Sequence, residues 1–156
     1  MITLQELLDS RDRRAAHQGE LLEKYPGCAL LCLTVQLPGP EKRNNLSLKI
    51  ARAGVDSVRA LKPLYEELKD LETGFEGYFV FETEPLALKK MAVEIEDTHP
   101  LGRLMDLDVI GCSRADIGLP ERKCLLCDKP ARYCMRARTH STEELLKRIE
   151  QICNDI

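Results

Sequence analysis

The segment from residue 99 to residue 110 constrains the fold of this chain more than any other. It reads His-Pro-Leu-Gly-Arg-Leu-Met-Asp-Leu-Asp-Val-Ile and sets Asp106 and Asp108 two positions apart in an apolar run. Because successive side chains of a strand point to opposite faces, both carboxylates would share one face and the apolar residues around them the other. The segment therefore predicts a strand over residues 103–110 with one charged face and one buried face.

Asp106 and Asp108 also predict a magnesium site. Two like charges held this close repel each other, and a bridging cation relieves that repulsion. Mg²⁺ is commonly bound by one or two carboxylates together with substrate phosphates, and such sites carry out nucleotidyl and phosphoryl transfer. The nearby Arg103 suits a site that handles phosphate. The alternative is a surface strand with two solvated acids, because an Asp-x-Asp spacing alone is a weak signal.

Length and composition predict a single domain over residues 1–156. The chain is 44% hydrophobic and 31% charged, which fits a soluble protein with a real core. It has no apolar run of membrane-spanning length and no basic-then-apolar signal at its start, so we expect a cytoplasmic protein that does not insert into membranes. Helical and strand patterns alternate, which predicts an α+β fold with a mixed sheet flanked by helices.

The charge is unevenly distributed. A net charge of −3 argues against a general nucleic-acid binder. Residues 114–138 are nevertheless locally basic, with seven cationic residues against three acids. Such a segment is either a solvated face or a surface that receives a polyphosphate or an acidic protein. Its cationic residues are Arg114, Arg122, Lys123, Lys129, Arg132, Arg136 and Arg138.

Helix signals are clearest at the two ends of the chain. Thr3 and Glu6 form a capping box that opens a helix running to about Lys24. Ser141 or Thr142 caps a C-terminal helix over residues 141–153. Between them we expect strands over 28–37 and 77–82, a loop over 38–45, a helix over 46–71 with a break near Gly54 or Pro63, and a helix over 85–94.

Four potential metal ligands follow in the pattern C-x2-C-x6-C-x5-H. Cys124, Cys127, Cys134 and His140 could complete a tetrahedral structural zinc site. The alternatives are thiols that simply pack and a redox pair formed by Cys124 and Cys127. A zinc site would also allow a second kind of function: a non-catalytic, zinc-stabilised module that docks on an acidic protein partner through residues 114–138.

Several blocks of the sequence resemble one known family. They are residues 99–110, the Arg-Lys-Cys-Leu-Leu-Cys run at 122–127, the Cys-x-Arg-x-x-x-His-Ser run at 134–141 and the Leu-Pro-Gly-Pro-Glu-Lys loop at 37–42. Together they are similar to the citrate lyase holo-acyl-carrier-protein synthases, which are apo-citrate lyase phosphoribosyl-dephospho-CoA transferases. The resemblance spans roughly residues 6–152 and keeps the blocks in order.

The resemblance implies a nucleotidyltransferase, with a nucleotidyltransferase-like fold. The donor would be triphosphoribosyl-dephospho-CoA, and the acceptor a serine on the apo acyl carrier (gamma) subunit of citrate lyase. The serine hydroxyl would attack the phosphate next to the ribose, and pyrophosphate would leave. The Gly-Ser turn usual upstream of the acidic strand in that fold is not found here, so the loop at 38–42 or the basic segment would contact the phosphates.

The resemblance also implies roles for particular residues. Asp106 and Asp108 would hold Mg²⁺ and help to deprotonate the serine, with Arg103 as a third catalytic group. His99 would orient a carboxylate or the leaving group. For each basic residue a solvated or structural role is an equal alternative. The remaining expected substrate contacts are Lys42, Arg114, Arg122, Arg136 and Arg138.

Overall fold

A four-stranded sheet organises the molecule, and its most apolar strand lies inside it. The computed structural model describes residues 1–155. Every side chain of β1 (Ala29–Thr34) is buried, as an apolar strand with neighbours on both sides requires. Its neighbours are β3 (Gly74–Phe81) and the short β4 (Asp106–Val109), and β2 (Tyr65–Leu71) adds to the far side of β3.

All three pairings in the sheet are antiparallel. The α+β class is therefore confirmed, and the fold is a single domain, but the expectation of a mixed sheet is wrong. Antiparallel strands can be joined without the helical crossover that parallel strands require. A tight turn that ends at Gly74, with φ +127°, joins β2 directly to β3. Such a φ favours glycine, which carries no Cβ.

Five helices surround the sheet in residues 1–155. The capping box at Thr3 opens α1, and Ser141 caps α5 with Glu144 in the same way, as predicted. None of these helices combines the length and apolar character needed to cross a membrane. They are α1 (Leu4–Lys24), α2 (Asn45–Arg59), α3 (Pro85–Thr98), α4 (Ala131–Ala137) and α5 (Thr142–Asn154).

The predicted helix over residues 46–71 is wrong in its second half. The helix ends at Arg59, Lys62 turns the chain with φ +61°, and Pro63 follows. The segment after it, Tyr65–Leu71, is an edge strand paired with β3. Its Glu, Leu and Lys residues favour a helix in isolation, and the pairing with β3 overrides that preference.

The two faces of the sheet carry different layers. One face packs its apolar side chains, including Leu31, Leu33 and Phe79, against α2, α3 and α5 in the main core. The opposite face is covered by α1, whose Leu21 packs with Leu30 in a smaller cluster. The smaller layer leaves part of that face uncovered beside β4, and the uncovered part is where polar side chains gather.

The helix α3 lies along the free edge of β4. The Leu107 amide points away from β1 and donates a hydrogen bond of 2.9 Å to the buried carboxylate of Glu96 on α3. The turn Gly102–Leu104 connects the two elements and replaces the first residues of the strand predicted over 103–110. The buried Glu96 side chain thus accepts a hydrogen bond from a backbone amide at this edge, where a further strand would otherwise pair.

Candidate active site

Asp106 and Asp108 lie on the same face of β4, as the alternation in the sequence predicts. Leu107 and Val109 are buried on the other face. In the register with β1, Asp106 lies opposite Thr34 and Asp108 opposite Cys32. The two carboxylates therefore border the polar part of the sheet that α1 leaves uncovered.

A charged pocket of about 310 Å³ opens at these carboxylates. The sheet forms its floor, and α1 and α3 supply opposing walls. Desolvation in this pocket raises the pKa of Asp108, although Lys89 and Arg14 act in the other direction. The charged pocket is lined by Arg14, Gln18, Cys32, Thr34, Gln36, Lys89, Glu96, Asp106, Leu107, Asp108, Arg114 and Arg122.

A second, larger depression of about 370 Å³ adjoins the charged pocket, and we call it the apolar pocket. Seven leucine, isoleucine and methionine residues line it, and Arg11, Lys42 and Arg103 add positive charge. The two pockets share three residues, Gln36, Asp106 and Arg122. Asp106 therefore stands where an anionic part and a less polar part of one ligand would meet.

Arg122, which follows the short 3₁₀ turn Ala115–Ile117, connects its segment to the start of β4. Its Nη1 donates to Asp106 Oδ1 at 2.9 Å and to the carbonyl of Met105 at 3.0 Å. Its Nη2 donates to the carbonyls of Gly102 at 3.1 Å and Arg103 at 2.8 Å. Most of the guanidinium is therefore engaged within the protein. Its most direct role is to orient Asp106.

Two of the predicted phosphate contacts, Arg103 and Lys42, face the apolar pocket. Arg103 donates to the carbonyl of Lys123 at 2.6 Å, and Lys42 donates to the carbonyl of Leu37 at 2.6 Å. Burial lowers the pKa of both side chains, and a neighbouring arginine in each case lowers it further. An anion bound here would offset this crowding of positive charge.

Arg114 lies in the charged pocket but is paired with acids on α3. Its guanidinium contacts Glu96 at 3.5 Å and Asp97 at 3.2 Å. Glu96 also lies 3.5 Å from Arg122. Burial raises the pKa of Glu96, while Arg122 and the Leu107 amide oppose that shift. Glu96 thus contacts two arginines and the edge of β4 at once.

Three of the predicted substrate contacts line neither pocket among residues 1–155. His99 caps the end of α3, where its Nδ1 accepts a hydrogen bond of 2.9 Å from the Leu101 amide. Arg136 and Arg138 are exposed on and just after α4. Their contact with a substrate stays a prediction.

The Cys/His cluster comes together as the spacing predicts. The ligand atoms of Cys124, Cys127, Cys134 and His140 all lie within 4.8 Å of one another. The amide of Leu126 donates to Cys124 Sγ at 3.4 Å. In residues 1–155, His140 Nε2 is the one buried side-chain nitrogen or oxygen without a hydrogen-bond partner. These donors can hold a metal ion, and a metal would satisfy that nitrogen.

The comparisons with known proteins agree with the resemblance found in the sequence blocks. A family model described as apo-citrate lyase phosphoribosyl-dephospho-CoA transferase matches residues 2–156. Proteins of that name from Escherichia coli O1:K1 and Shigella boydii serotype 18 are 37% identical to the chain, over 99% of its length and 90% of theirs. The chain belongs to the apo-citrate lyase phosphoribosyl-dephospho-CoA transferase family. The suspected family is thereby confirmed.

Two residues of this family member that shape the charged pocket were missed in the sequence. Lys89 and Glu96 lie on α3, and both are buried. With Val93 they stand at positions i, i+4 and i+7, which is one face of the helix. The sequence signal is that these charged residues share a helix face with an apolar valine. A surface helix normally keeps its charged residues on the face opposite its apolar ones.

Proposed function

We propose that the chain is a nucleotidyltransferase, a holo-citrate lyase acyl-carrier-protein synthase, in which residues 1–156 form one transferase domain. It would move the phosphoribosyl-dephospho-CoA group from triphosphoribosyl-dephospho-CoA to a serine of the apo acyl carrier (gamma) subunit of citrate lyase. The observation that carries the proposal is the position of Asp106 and Asp108 on one face of β4 in the charged pocket, with Asp106 also lining the apolar pocket, in a member of this family.

Asp106 and Asp108 fit a divalent cation. Both are oxygen donors on one strand face, and Arg122 engages only one Asp106 oxygen, Oδ1. Mg²⁺, when bound, would neutralise charge on the donor's phosphates. One of the carboxylates would also accept the proton of the attacking serine.

These positions support the following reaction. The serine oxygen forms a bond to the phosphorus next to the ribose, and the bond from that phosphorus to the pyrophosphate oxygen breaks. The electron pair leaves with pyrophosphate, and the serine proton goes to a carboxylate. Arg103, Lys42 and Arg114 supply positive charge around the pockets, while Arg122 holds Asp106 in place.

We further propose that the Cys/His cluster holds a structural zinc ion. Three thiolates and one imidazole are the donors that a closed tetrahedral zinc site uses. The buried Nε2 of His140 supports this assignment, since an unpaired buried nitrogen is costly. Zinc would fix the segment that begins at Cys124, two residues after Arg122, and so would support the wall of the apolar pocket.

The family and the relatives favour a transferase over a non-catalytic module that docks on an acidic partner. The deciding experiment is the intact mass of the apo carrier subunit after incubation with the protein, donor and Mg²⁺. We expect a gain equal to the phosphoribosyl-dephospho-CoA group. We expect the rate to fall about hundredfold or more with Asp108→Asn. No gain with verified donor and carrier would contradict the proposal.

A further inference from the structure

Lys89 carries a positive charge into the charged pocket from the first half of α3. The residue is only 7% exposed. Among residues 1–155 its ammonium has no hydrogen-bond partner and no carboxylate within 4.0 Å. The aliphatic stem is buried, but the ammonium keeps access to solvent in the pocket, where it is free to meet a ligand of opposite charge.

The acids around Lys89 are already engaged by other groups. Glu96 accepts from the Leu107 amide and faces Arg114 and Arg122. Asp106 accepts from Arg122. Of the acids that line the charged pocket, Asp108 alone is outside these pairs, and the proposed function assigns it to a metal.

The rest of the pocket suits an oxyanion as well. Arg14 reaches it from α1 and has no ion-pair partner among the described residues. Thr34 and Gln18 line it with a hydroxyl and an amide. Two cations without counter-ions, next to hydrogen-bond donors and a pair of carboxylates, form a site for a metal-bound polyphosphate.

We propose that the charged pocket binds the two terminal phosphates of the donor and that Lys89 is a catalytic residue that contacts them. This assignment rests on the proposed function. When the bond to the serine oxygen forms, the bond to the bridging oxygen of the leaving group breaks, and the electron pair goes to that oxygen. Lys89 keeps its proton and stabilises the negative charge on the departing pyrophosphate.

The test is the binding of inorganic pyrophosphate with Mg²⁺, measured by titration calorimetry. Lys89→Met keeps the buried aliphatic stem and removes the charge. We expect it to weaken pyrophosphate binding about tenfold or more, and Lys89→Arg to retain part of the affinity. Lys90→Met is the matched control, because Lys90 is the exposed neighbour on the same helix, and its affinity should equal that of the wild type.

Steady-state kinetics and chemical labelling complete the test. Folded Lys89→Met protein that binds pyrophosphate like the wild type, or transfers the group at an unchanged rate, would overturn the role of Lys89. If that variant does not fold, acetylation of the wild-type protein decides. Pyrophosphate should slow the acetylation of Lys89 but not of Lys90, and equal protection of both overturns the assignment. Pyrophosphate binding through Lys89 without any transfer to the carrier would instead contradict the proposed function and leave the anion site standing.

Discussion

At residue 102 the backbone before β4 runs so close to α3 that glycine alone fits. A Cβ atom there would overlap the carbonyl oxygens of Ile95 and Glu96. The Gly102 carbonyl also accepts a hydrogen bond from Arg122. The conformation of this one residue therefore sets the distance between α3 and the strand that carries Asp106.

We expect Gly102→Ala to lower the free energy of unfolding by about 1–3 kcal/mol, because the backbone must shift to admit the methyl group. Transfer to the carrier should slow with it. Urea unfolding measures the change in stability. Gly19→Ala is the control: a Cβ at that position in α1 meets nothing within 4 Å, so alanine should add about 0.5–1 kcal/mol. Equal stabilities for the two variants would contradict the role of the close approach.

Glu96 is the second single residue on which the site depends. Glu96→Ala leaves the Leu107 amide without its acceptor and removes the carboxylate that faces Arg114 and Arg122, and we expect a loss of about 1–3 kcal/mol in unfolding free energy. Asp97 also pairs with Arg114, but its side chain is 51% exposed. Asp97→Ala should therefore cost about 1 kcal/mol or less. Chemical denaturation of both variants at the same pH measures the difference.

At the scale of elements, α1 is pinned to β2 through His17. Its Nε2 lies 2.6 Å from Glu67 Oε2, and its ring packs edge-on against Tyr78. Burial acts to raise the pKa of Glu67, but the hydrogen bond and charge of His17 act against it, and the net shift is downward. A lowered pKa in the folded state means that Glu67 adds stability when ionised, and that this stability is lost on acidification.

The variant Glu67→Gln tests this contact between α1 and β2. At pH 7 we expect it to be less stable than the wild type by about 1 kcal/mol. Because the folded pKa lies below the ordinary value, the difference should hold down to about pH 4.5 and shrink as the pH falls further. Thermal unfolding between pH 3 and pH 7 measures it. A difference that does not shrink below about pH 4.5 would contradict the assignment.

Elements with a strong local signal could be predicted from the sequence. The capping boxes at Thr3 and Ser141 mark helix starts correctly, because a cap depends on residues three positions apart. The strand β2 could not be predicted in this way. Its Glu66, Lys69 and Asp70 give it no apolar periodicity, and it is a strand because β3 lies beside it. The same holds for the antiparallel arrangement, which is a property of strands far apart in the chain.

At the scale of the whole molecule, the site combines residues that short sequence patterns identify with residues whose role depends on the packing of distant elements. Asp106, Asp108 and the Cys/His cluster were found from short spacings. Lys89 was missed because its meaning depends on α3 packing beside β4 and on α1 closing the opposite wall. The engagement of Arg122 by backbone carbonyls could not be predicted either, since those carbonyls lie some twenty residues earlier.

The Cys/His cluster also joins segments that are apart in the chain. We expect a zinc chelator to lower the melting temperature by about 5 °C or more, because ligands in this cluster come from the chain before α4, from α4 and from the connection between α4 and α5. Cys134→Ser should start from a lower melting temperature and respond little to the chelator. Cys28→Ser, which lies outside the cluster, should behave like the wild type. Metal analysis of each purified protein shows whether zinc is the ion lost.

The two edges of the sheet also govern how the protein behaves at high concentration. An open strand edge invites pairing with another chain, which leads to aggregation. Glu96 and α3 cover the edge at β4, and the charged side chains of β2 oppose pairing at the other edge. Loss of Glu96 would therefore expose a template for strand addition next to the apolar β1, and aggregation should be the first visible sign of that loss during purification.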